Sequence, residues 1–352
     1  MPDKQKYALW IASQLNAPIF FQPWWMDAVS IGKHWEVKVW ETQPKTQCCP
    51  GAQASSPAEC SDTQCYLGAQ ASSPAEDNGE VIAAMPYLLR QRLGMRFVVM
   101  PQMTQLAGAW LASNANPETI ADAIDSHLKS LHLSYYYQQF PINSPIPALL
   151  AQRGYTVSPR VTYRIEDCSD VEKIIAGYNR NKQRQLKKST AFTLRQDNIS
   201  PHEFYRFHQS ALAAQGKVIS YSEPFLRQLL DAVLQHHQGT ILTLYDNQSP
   251  AQTMIAVALY VWDADAVHYL IAAQHPDYQH QGLMARLVTE GIRLAYQRHL
   301  AFDFEGSMIP GVAKHFAQFG AIPATYCSVE RYFNSIFRLF TSVYRYLTRK
   351  KR

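Results

Sequence analysis

The chain has 352 residues, of which 47% are hydrophobic and 17% are charged, and its formal net charge is +5. This is the composition of a globular protein of about two domains, so a wholly disordered chain is excluded. No run of 18 or more apolar residues occurs, and the first residues are polar, so we expect a cytoplasmic protein without a membrane span or secretion signal.

The positive charge is concentrated at the C-terminal end of the chain. Seven basic and no acidic residues lie between Arg331 and the last residue, so the rest of the chain is slightly acidic. DNA-binding proteins usually present a broad basic face, so we expect no DNA partner. Residues 333–352 also have apolar side chains at helical spacing, which predicts a basic amphipathic helix. The apolar side chains of such a helix usually pack on the core of the protein. The alternative is that they contact a membrane surface.

The first half, residues 1–166, has the pattern of a mixed α/β unit. Helices are predicted at residues 4–15, 23–29, 117–131 and 145–153, and strands at residues 35–40, 81–90, 97–100, 135–139 and 155–165. The first two strands form a predicted hairpin, interrupted at about residues 43–79 by two copies of a segment rich in Ala, Ser, Gln and Pro. Such a composition predicts a low-complexity insertion.

The insertion contains four of the six cysteines of the chain, namely Cys48, Cys49, Cys60 and Cys65. Structural zinc sites usually pair their cysteines two residues apart, and this spacing is absent here. We therefore predict no metal site.

The second half, residues 167–332, begins with a predicted helical run over residues 171–189. The later helices are predicted at residues 201–215, 224–236, 282–297 and 311–319, and the strands at residues 192–196, 240–245, 254–262, 266–272, 301–304 and 323–329. Three of these strands follow one another through short polar turns, as in an antiparallel meander. Helix, strand, helix and strand then alternate.

Five parts of the sequence carry a family resemblance, namely residues 302–311, residues 314–321, Tyr326, the basic segment 179–188 and residues 217–224. They resemble the Fem-type (FemAB-like) proteins of the GNAT acyltransferase superfamily. The element order of the second half also resembles a GNAT core. The resemblance implies an α/β fold with a mixed sheet and tandem GNAT-like domains. It further implies an N-acyltransferase that moves an acyl or aminoacyl group to an amine, with a small molecule or a cell-wall precursor as acceptor.

The donor site implied by the resemblance is the turn Gln279, His280, Gln281 and Gly282, at the start of a helix after a strand. Helix N-termini of this kind bind phosphates, so acyl-CoA is the expected co-substrate, with no tightly bound cofactor. An ordinary loop with a glycine remains the alternative. The GNAT motif has a small residue where this chain has Met284. This difference leaves open an aminoacyl-tRNA donor, as in the Fem group, and hence a peptidoglycan-precursor aminoacyltransferase.

Acyl transfer to an amine needs a base and a proton donor for the leaving group. Glu305 is the candidate base and Ser307 its neighbour at a strand end, although both residues could instead cap the next helix. Tyr221 and Tyr326 are the candidate phenols. The tyrosine that serves as acid in many GNAT enzymes corresponds to Phe316 here, which has no proton to give. A non-catalytic GNAT-fold binding module is therefore the alternative function.

Arg180 and Lys217 are the candidate substrate-binding residues. Arg180 begins a basic helical face that could bind phosphates of a nucleotide-linked or tRNA substrate, although most such faces are simply solvated. The other members of this face are Arg184, Lys187 and Lys188. Motifs of P-loop kinases, zinc proteases, serine hydrolases and dinucleotide-binding dehydrogenases are absent from the sequence.

Overall fold

The computed structural model describes residues 1–32, 34–42, 79–196, 199–248, 253–306, 308–339 and 341. Its numbered helices are α1 (Asp3–Ser13), α2 (Pro23–Val29), α3 (Pro117–Ser130), α4 (Ile146–Gln152), α5 (Val171–Ala176), α6 (Arg180–Ser189), α7 (Pro201–Ala213), α8 (Glu223–Gln235), α9 (Leu283–Arg298) and α10 (Pro310–Ala317). Its strands are β1 (Trp35–Glu41), β2 (Val81–Arg92), β3 (Met95–Val99), β4 (Trp110–Leu111), β5 (Tyr135–Phe140), β6 (Thr156–Ile165), β7 (Thr193–Arg195), β8 (Gly239–Asp246), β9 (Thr253–Trp262), β10 (Ala266–Gln274), β11 (Ala301–Asp303) and β12 (Ile322–Tyr332).

The described strands form one twelve-stranded mixed sheet in the order β1-β2-β3-β5-β12-β6-β11-β10-β9-β8-β7, with β4 paired to β2. The strands pair in nearly the same order when they are followed inward from either edge of the sheet. In the first half, the antiparallel strands β1, β2 and β3 lead to β5, which runs parallel to β3. In the second half, the antiparallel strands β8, β9 and β10 lead to β11, which runs parallel to β10. The two halves therefore repeat one topology.

The final strands of the two halves are exchanged at the centre of the sheet. β12 comes last in the chain, yet it pairs with β5 of the first half, while β6 of the first half pairs with β11. β6 and β12 also pair with each other over nine residues of register. The predicted boundary between residues 166 and 167 thus falls just after β6, a strand that completes the second half of the sheet.

Helices cover both faces of the sheet, because its strands contribute apolar side chains to two sides. Alternate residues of β9 show this: Val257 and Leu259 belong to one buried cluster, whereas Ala258 and Tyr260 belong to another. The first cluster includes residues of α1, α2, α7 and α8 from the two halves. We call the side of the sheet that faces this cluster the shared face. Helices α3 and α4 pack on the opposite face in the first half, and α9 does so in the second half.

The structure confirms the predicted α/β class and the predicted β1–β2 hairpin, and it corrects one helix. The predicted run 171–189 is interrupted between α5 and α6, where the buried Tyr178 is followed by Asn179, whose side chain accepts the Asn181 backbone N–H and caps α6. Residues 335–339 are helical, but most of the predicted C-terminal helix and nearly all of the predicted insertion lie outside the described residues. Among the described helices, none has the length and apolar character that crossing a bilayer requires.

Candidate active site

Glu305 lies at the centre of the sheet, where the chain leaves β11. Its backbone N–H donates to Asp303 Oδ1 (2.7 Å), and its φ of 61° lies in the left-handed region, which is unusual for a residue other than glycine. Gly306 follows at φ 62°, and a Cβ there would stand 2.6 Å from the carbonyl oxygen of Val161 on β6. The chain therefore turns sharply against β6. Strained backbone of this kind is often found at active sites.

His268 of β10 lies between Glu305 and a second carboxylate. Its Nδ1 is 2.7 Å from Glu305 Oε1, and its Nε2 is 3.2 Å from Asp263 Oδ2. The contact with Glu305 is short, but it is not aligned as a regular hydrogen bond, so we treat it as an ion pair. The imidazole is 4% exposed and touches the ring of Phe20. Backbone N–H groups of Ile19 and Ala266 donate to Asp263, which fixes the far end of this chain of three residues.

The three groups change one another's protonation. Burial alone would lower the pKa of His268, but the charge and hydrogen bond of Asp263, together with Glu305, outweigh burial and raise that pKa well above its usual value. Burial would raise the pKa of Asp263, yet His268 brings it down to about 2. For Glu305, burial prevails over the attraction of His268 and raises the pKa. Asp263 and His268 therefore form a charged pair behind a carboxyl group of increased basicity.

Asp303 forms the floor of the site. It is 1% exposed and accepts a hydrogen bond from the Thr162 hydroxyl (2.5 Å), and burial raises its pKa. Ligand atoms of His268, Asp303 and Glu305 lie within 4.8 Å of one another, so this set has the composition of a metal site. Within this set, His268 Nδ1 is paired with Glu305 Oε1, and Asp303 Oδ1 accepts from the Thr162 hydroxyl and from the Glu305 backbone N–H.

Two cavities open onto this cluster from the shared face. One, of about 330 Å³, is lined by Glu305, Gly306 and Tyr326. The other, of about 490 Å³, is lined by Asp263, His268 and Asp303. Gln105, from the loop between β3 and β4, lines both cavities. The Glu305 carboxylate thus belongs to one cavity, while the charged pair that supports it belongs to the other.

Tyr326 of β12 is brought into the same cavity as Glu305 because β12 is exchanged into the centre of the sheet. It lies opposite Arg160 of β6, which also lines this cavity. Burial raises the pKa of Tyr326 to about 12, so the phenol keeps its proton at neutral pH. Two of the predicted site residues, Glu305 and Tyr326, therefore line one cavity.

Other sequence-predicted residues lie away from this cavity. Tyr221 lines neither of the two cavities and packs against Phe225, with its hydroxyl 2.6 Å from His208 Nδ1. Lys217 and Arg180 are exposed, and the Lys217 ammonium donates to Gln215. Ser307 lies outside the described residues. The capping alternative for Glu305 is wrong, because α10 has Ile309 at its N-cap and no side-chain hydrogen bond there.

The predicted donor turn has a different environment from the one expected. Gln279, His280 and Gln281 are exposed, but Gly282 is buried at φ 77° against helix α6. A Cβ on Gly282 would stand 2.0 Å from the backbone oxygen of Gln185. The sequence placed Gly282 in the donor turn, but in the structure a glycine is required there because helix α6 packs on it.

Sequence reasoning missed His268, Asp263 and Asp303. A histidine inside an apolar strand is usually a core residue, and an aspartate in a hairpin turn usually satisfies the turn itself. The spacing of Asp303 and Glu305 at one strand end was the available signal. It would have indicated paired carboxylates, but it could not have indicated that β10 brings an imidazole between Glu305 and Asp263.

Comparisons with known proteins agree with this architecture. Residues 155–313 match the family model described as an acetyltransferase (GNAT) domain, a range that begins just before β6 and ends in α10. The crystal structure of FemX superposes with a TM-score of 0.67 and 9% sequence identity, covering 97% of this chain and 98% of that one. The chain has the fold of a Fem-type GNAT protein.

Other solved structures are similar over a smaller part of this chain. A tandem GNAT protein from the clavulanic acid biosynthesis pathway has a TM-score of 0.49 and 14% identity, covering 72% of this chain and 79% of its own. L-PGS from Bacillus licheniformis has a TM-score of 0.48 and 12% identity, covering 77% and 87%. No curated protein matches by sequence. The repeated strand topology of the two halves, the family model over residues 155–313 and the superposition with FemX confirm the predicted tandem GNAT-like fold.

Proposed function

We propose that this Fem-type protein is an N-acyltransferase that moves an acyl or aminoacyl group to an amine, with Glu305 as the general base. The observation that carries the proposal is the position of Glu305. It lines the central cavity beside Tyr326, and its carboxylate is supported by the buried pair of His268 and Asp263. Buried, mutually perturbed carboxyl and imidazole groups in a cavity are typical of active sites.

The chemistry follows from the protonation of these groups. An amine acceptor must lose a proton before or as it attacks the carbonyl carbon, and the Glu305 carboxylate, with its raised pKa, is suited to take that proton. As the new C–N bond forms, the bond from the carbonyl carbon to the sulfur or oxygen of the donor breaks. The leaving atom needs a proton, and the Tyr326 phenol, which is protonated at neutral pH, can give one in the same cavity. Glu305 then returns its proton to Tyr326.

The environment of the α9 turn favours aminoacyl-tRNA over acyl-CoA as the donor. Helix α6 packs on Gly282, so a pyrophosphate could lie over this glycine only if α6 moved. The corresponding helix of the first half, α3, is capped by the Asn116 side chain and has Glu118 in its first turn, which disfavours an anion. By contrast, the side chains of Arg180 and Arg184 on α6 are exposed, as a polyanion would require.

The acceptor in this proposal is the amine of a small molecule or of a cell-wall precursor, and the reaction takes place in the cytoplasm, where charged tRNA and acyl-CoA are made. A peptidoglycan-precursor aminoacyltransferase is the version that the Fem-type fold and the basic face of α6 together support best. Acyl-CoA remains the second donor to be tested, as a co-substrate and not as a tightly bound cofactor.

The alternative of a non-catalytic binding module depended on Phe316, which has no proton to give. The surroundings of Phe316 do not favour this alternative. The ring of Phe316 packs at a tilt on the ring of Phe304 (4.6 Å between ring centres) and also contacts Tyr163, in the apolar cluster on the opposite face of the sheet. It therefore lies away from the cavity of Glu305. The absence of a phenol at position 316 does not remove an acid from that cavity, because Tyr326 is present there.

Native mass spectrometry can test the function with both classes of donor in parallel. The protein would be incubated separately with a panel of acyl-CoA thioesters and with charged tRNA, each in the presence of a mixture of amines. We expect donor-dependent formation of an amide product with charged tRNA. Amide formed only with an acyl-CoA would overturn the tRNA donor and keep the acyltransferase, whereas no amide with any donor would contradict the proposed function itself.

A further inference from the structure

The turn between β2 and β3 presents a leucine that the fold itself does not explain. Leu93 and Gly94 form a two-residue hairpin turn with φ values of 51° and 75°, and Leu93 is 86% exposed. Turns of this type favour asparagine, aspartate or glycine at both positions, because the left-handed backbone strains other residues. The backbone conformation of this turn does not favour leucine, and the side chain is not buried. A leucine at this position therefore points to a contact with something outside the chain.

A second exposed apolar group lies on the helical residues 335–339. The Asn334 side chain accepts the N–H groups of Ile336 and Phe337 and so starts this helix. Phe337 fixes the helix on the sheet through ring contact with Phe97, at 5.0 Å between centres. Ile336 and Leu339, three residues apart, are 67% and 66% exposed and thus lie together on the outer side.

The hairpin turn and the helix are neighbours. One cavity of about 740 Å³ is lined by Gly94 and Met95 from the hairpin and by Asn334 and Ile336 from the helix. We call this part of the molecule the hairpin–helix surface and define its apolar residues as Leu93, Ile336 and Leu339. Ile336 lines this cavity, Leu93 precedes its Gly94 in the chain, and Leu339 lies about one helical turn beyond Ile336. Three exposed apolar side chains on neighbouring segments are more than the scattered exposure that is normal on a protein surface.

Basic residues surround these apolar side chains. Arg92 and Arg338 are exposed next to them in the chain, and Lys129 lines the same cavity while it also pairs with Asp125. In the sequence, residues 342–352 contain five basic residues and no acidic one, namely Arg345, Arg349, Lys350, Lys351 and Arg352. Exposed apolar side chains bordered by basic residues are typical of a surface that inserts into the headgroup region of an anionic bilayer.

We propose that the hairpin–helix surface docks on an anionic lipid bilayer. Leu93, Ile336 and Leu339 enter the boundary between headgroups and acyl chains, and Arg92 and Arg338 contact lipid phosphates. A nucleic acid would use the same basic residues, but it offers no apolar phase for three exposed aliphatic side chains. The charge and the exposed apolar side chains together therefore favour the bilayer. This inference is independent of the acyl-transfer chemistry at Glu305.

Vesicle partition tests the proposal with the full chain. Partition would be measured by co-sedimentation with vesicles of phosphatidylcholine alone and of phosphatidylcholine with phosphatidylglycerol in equal parts. We expect binding to the anionic vesicles only, and we expect Leu93→Asp to weaken it by about ten-fold, as loss of one inserted leucine implies. Aspartate suits the backbone of this turn, so the variant should fold.

Val218→Asp is the matched control. Val218 is 90% exposed. Two residues further along the chain, the Ser220 carbonyl oxygen accepts a hydrogen bond from the Gln102 side chain. Gln102 follows the end of β3 that is distant from Leu93. We expect this variant to bind anionic vesicles like the unaltered protein. Equal binding of the Leu93→Asp and Val218→Asp variants, or equal binding to neutral and anionic vesicles, would overturn the proposal. Binding of the unaltered chain to neither kind of vesicle would also overturn it, whether or not the chain binds tRNA.

Discussion

Replacing Gly282 by alanine should destabilise the fold strongly, because two separate costs meet at this position. The first is backbone strain: φ is 77°, and a residue with a Cβ loses about 1–2 kcal/mol in this region. The second is a clash with helix α6. The new carbon would lie 2.0 Å from the Gln185 backbone oxygen, whereas real Cβ contacts stay above 3.0 Å, so α6 must move by about 1 Å. Forced displacement in a packed interior costs about 1–3 kcal/mol more.

Gly320→Ala separates the two costs. Gly320 has nearly the same backbone conformation, with φ 84°, but no atom lies within 4 Å of its ideal Cβ. It should therefore show the strain alone. Urea unfolding followed by circular dichroism would give both free energies of unfolding. We expect Gly282→Ala to be the more destabilising by at least about 1 kcal/mol. Equal effects of the two substitutions would refute the packing of α6 on this turn and restore Gly282 as an open donor cradle.

Two further predictions concern stability. Burial lowers the pKa of Lys182 to about 8, so the unfolded chain binds more protons between pH 8 and 10.5 and stability should rise with pH in that window. Lys182→Met should abolish this rise. The free energy of unfolding at pH 7 should change by no more than about 1 kcal/mol, because the loss of the hydrogen bonds from Lys182 to His315 Nδ1 and Gln185 Oε1 is offset by the removal of a buried charge. An unchanged pH dependence in urea titrations would contradict the burial. Deleting residues 49–77 should shift the melting temperature by only a few degrees, because Thr42 and Glu80 already join the ends of the β1–β2 hairpin. A larger fall in a calorimetric scan would show that the deleted segment stabilises the body.

Most elements of the fold could be predicted because they depend on local patterns. Helix α2 begins and ends at the predicted residues, and the strands of both meanders lie where alternation or an apolar run placed them. The exchange of β6 and β12 could not be predicted in this way. It depends on which strands pair across more than 150 residues of chain, and neither strand differs in composition from one that would stay within its own half.

The candidate site shows the same limit. Glu305 and Tyr326 were predicted, the first from its position at a strand end and both from the family resemblance, and the structure brings them to one cavity. His268 could not be recognised, since its role depends on two carboxylates that reach it from a turn and from another strand. Gly282 shows the opposite error, because its motif fits a phosphate turn while the helix that packs on it comes from elsewhere in the chain.

The central claim is that Glu305 acts as the base, and the turnover rate of Glu305→Gln tests it most directly. With the donor found by mass spectrometry, we expect kcat to fall by about 10² to 10⁴ because glutamine cannot accept the proton. Tyr221→Phe, which lies outside both central cavities, should turn over normally under the same conditions. Thermal unfolding of each variant would ensure that folded proteins are compared. A Glu305→Gln protein that unfolds at a lower temperature yet keeps the normal kcat would contradict the claim and leave Glu305 with a structural role only.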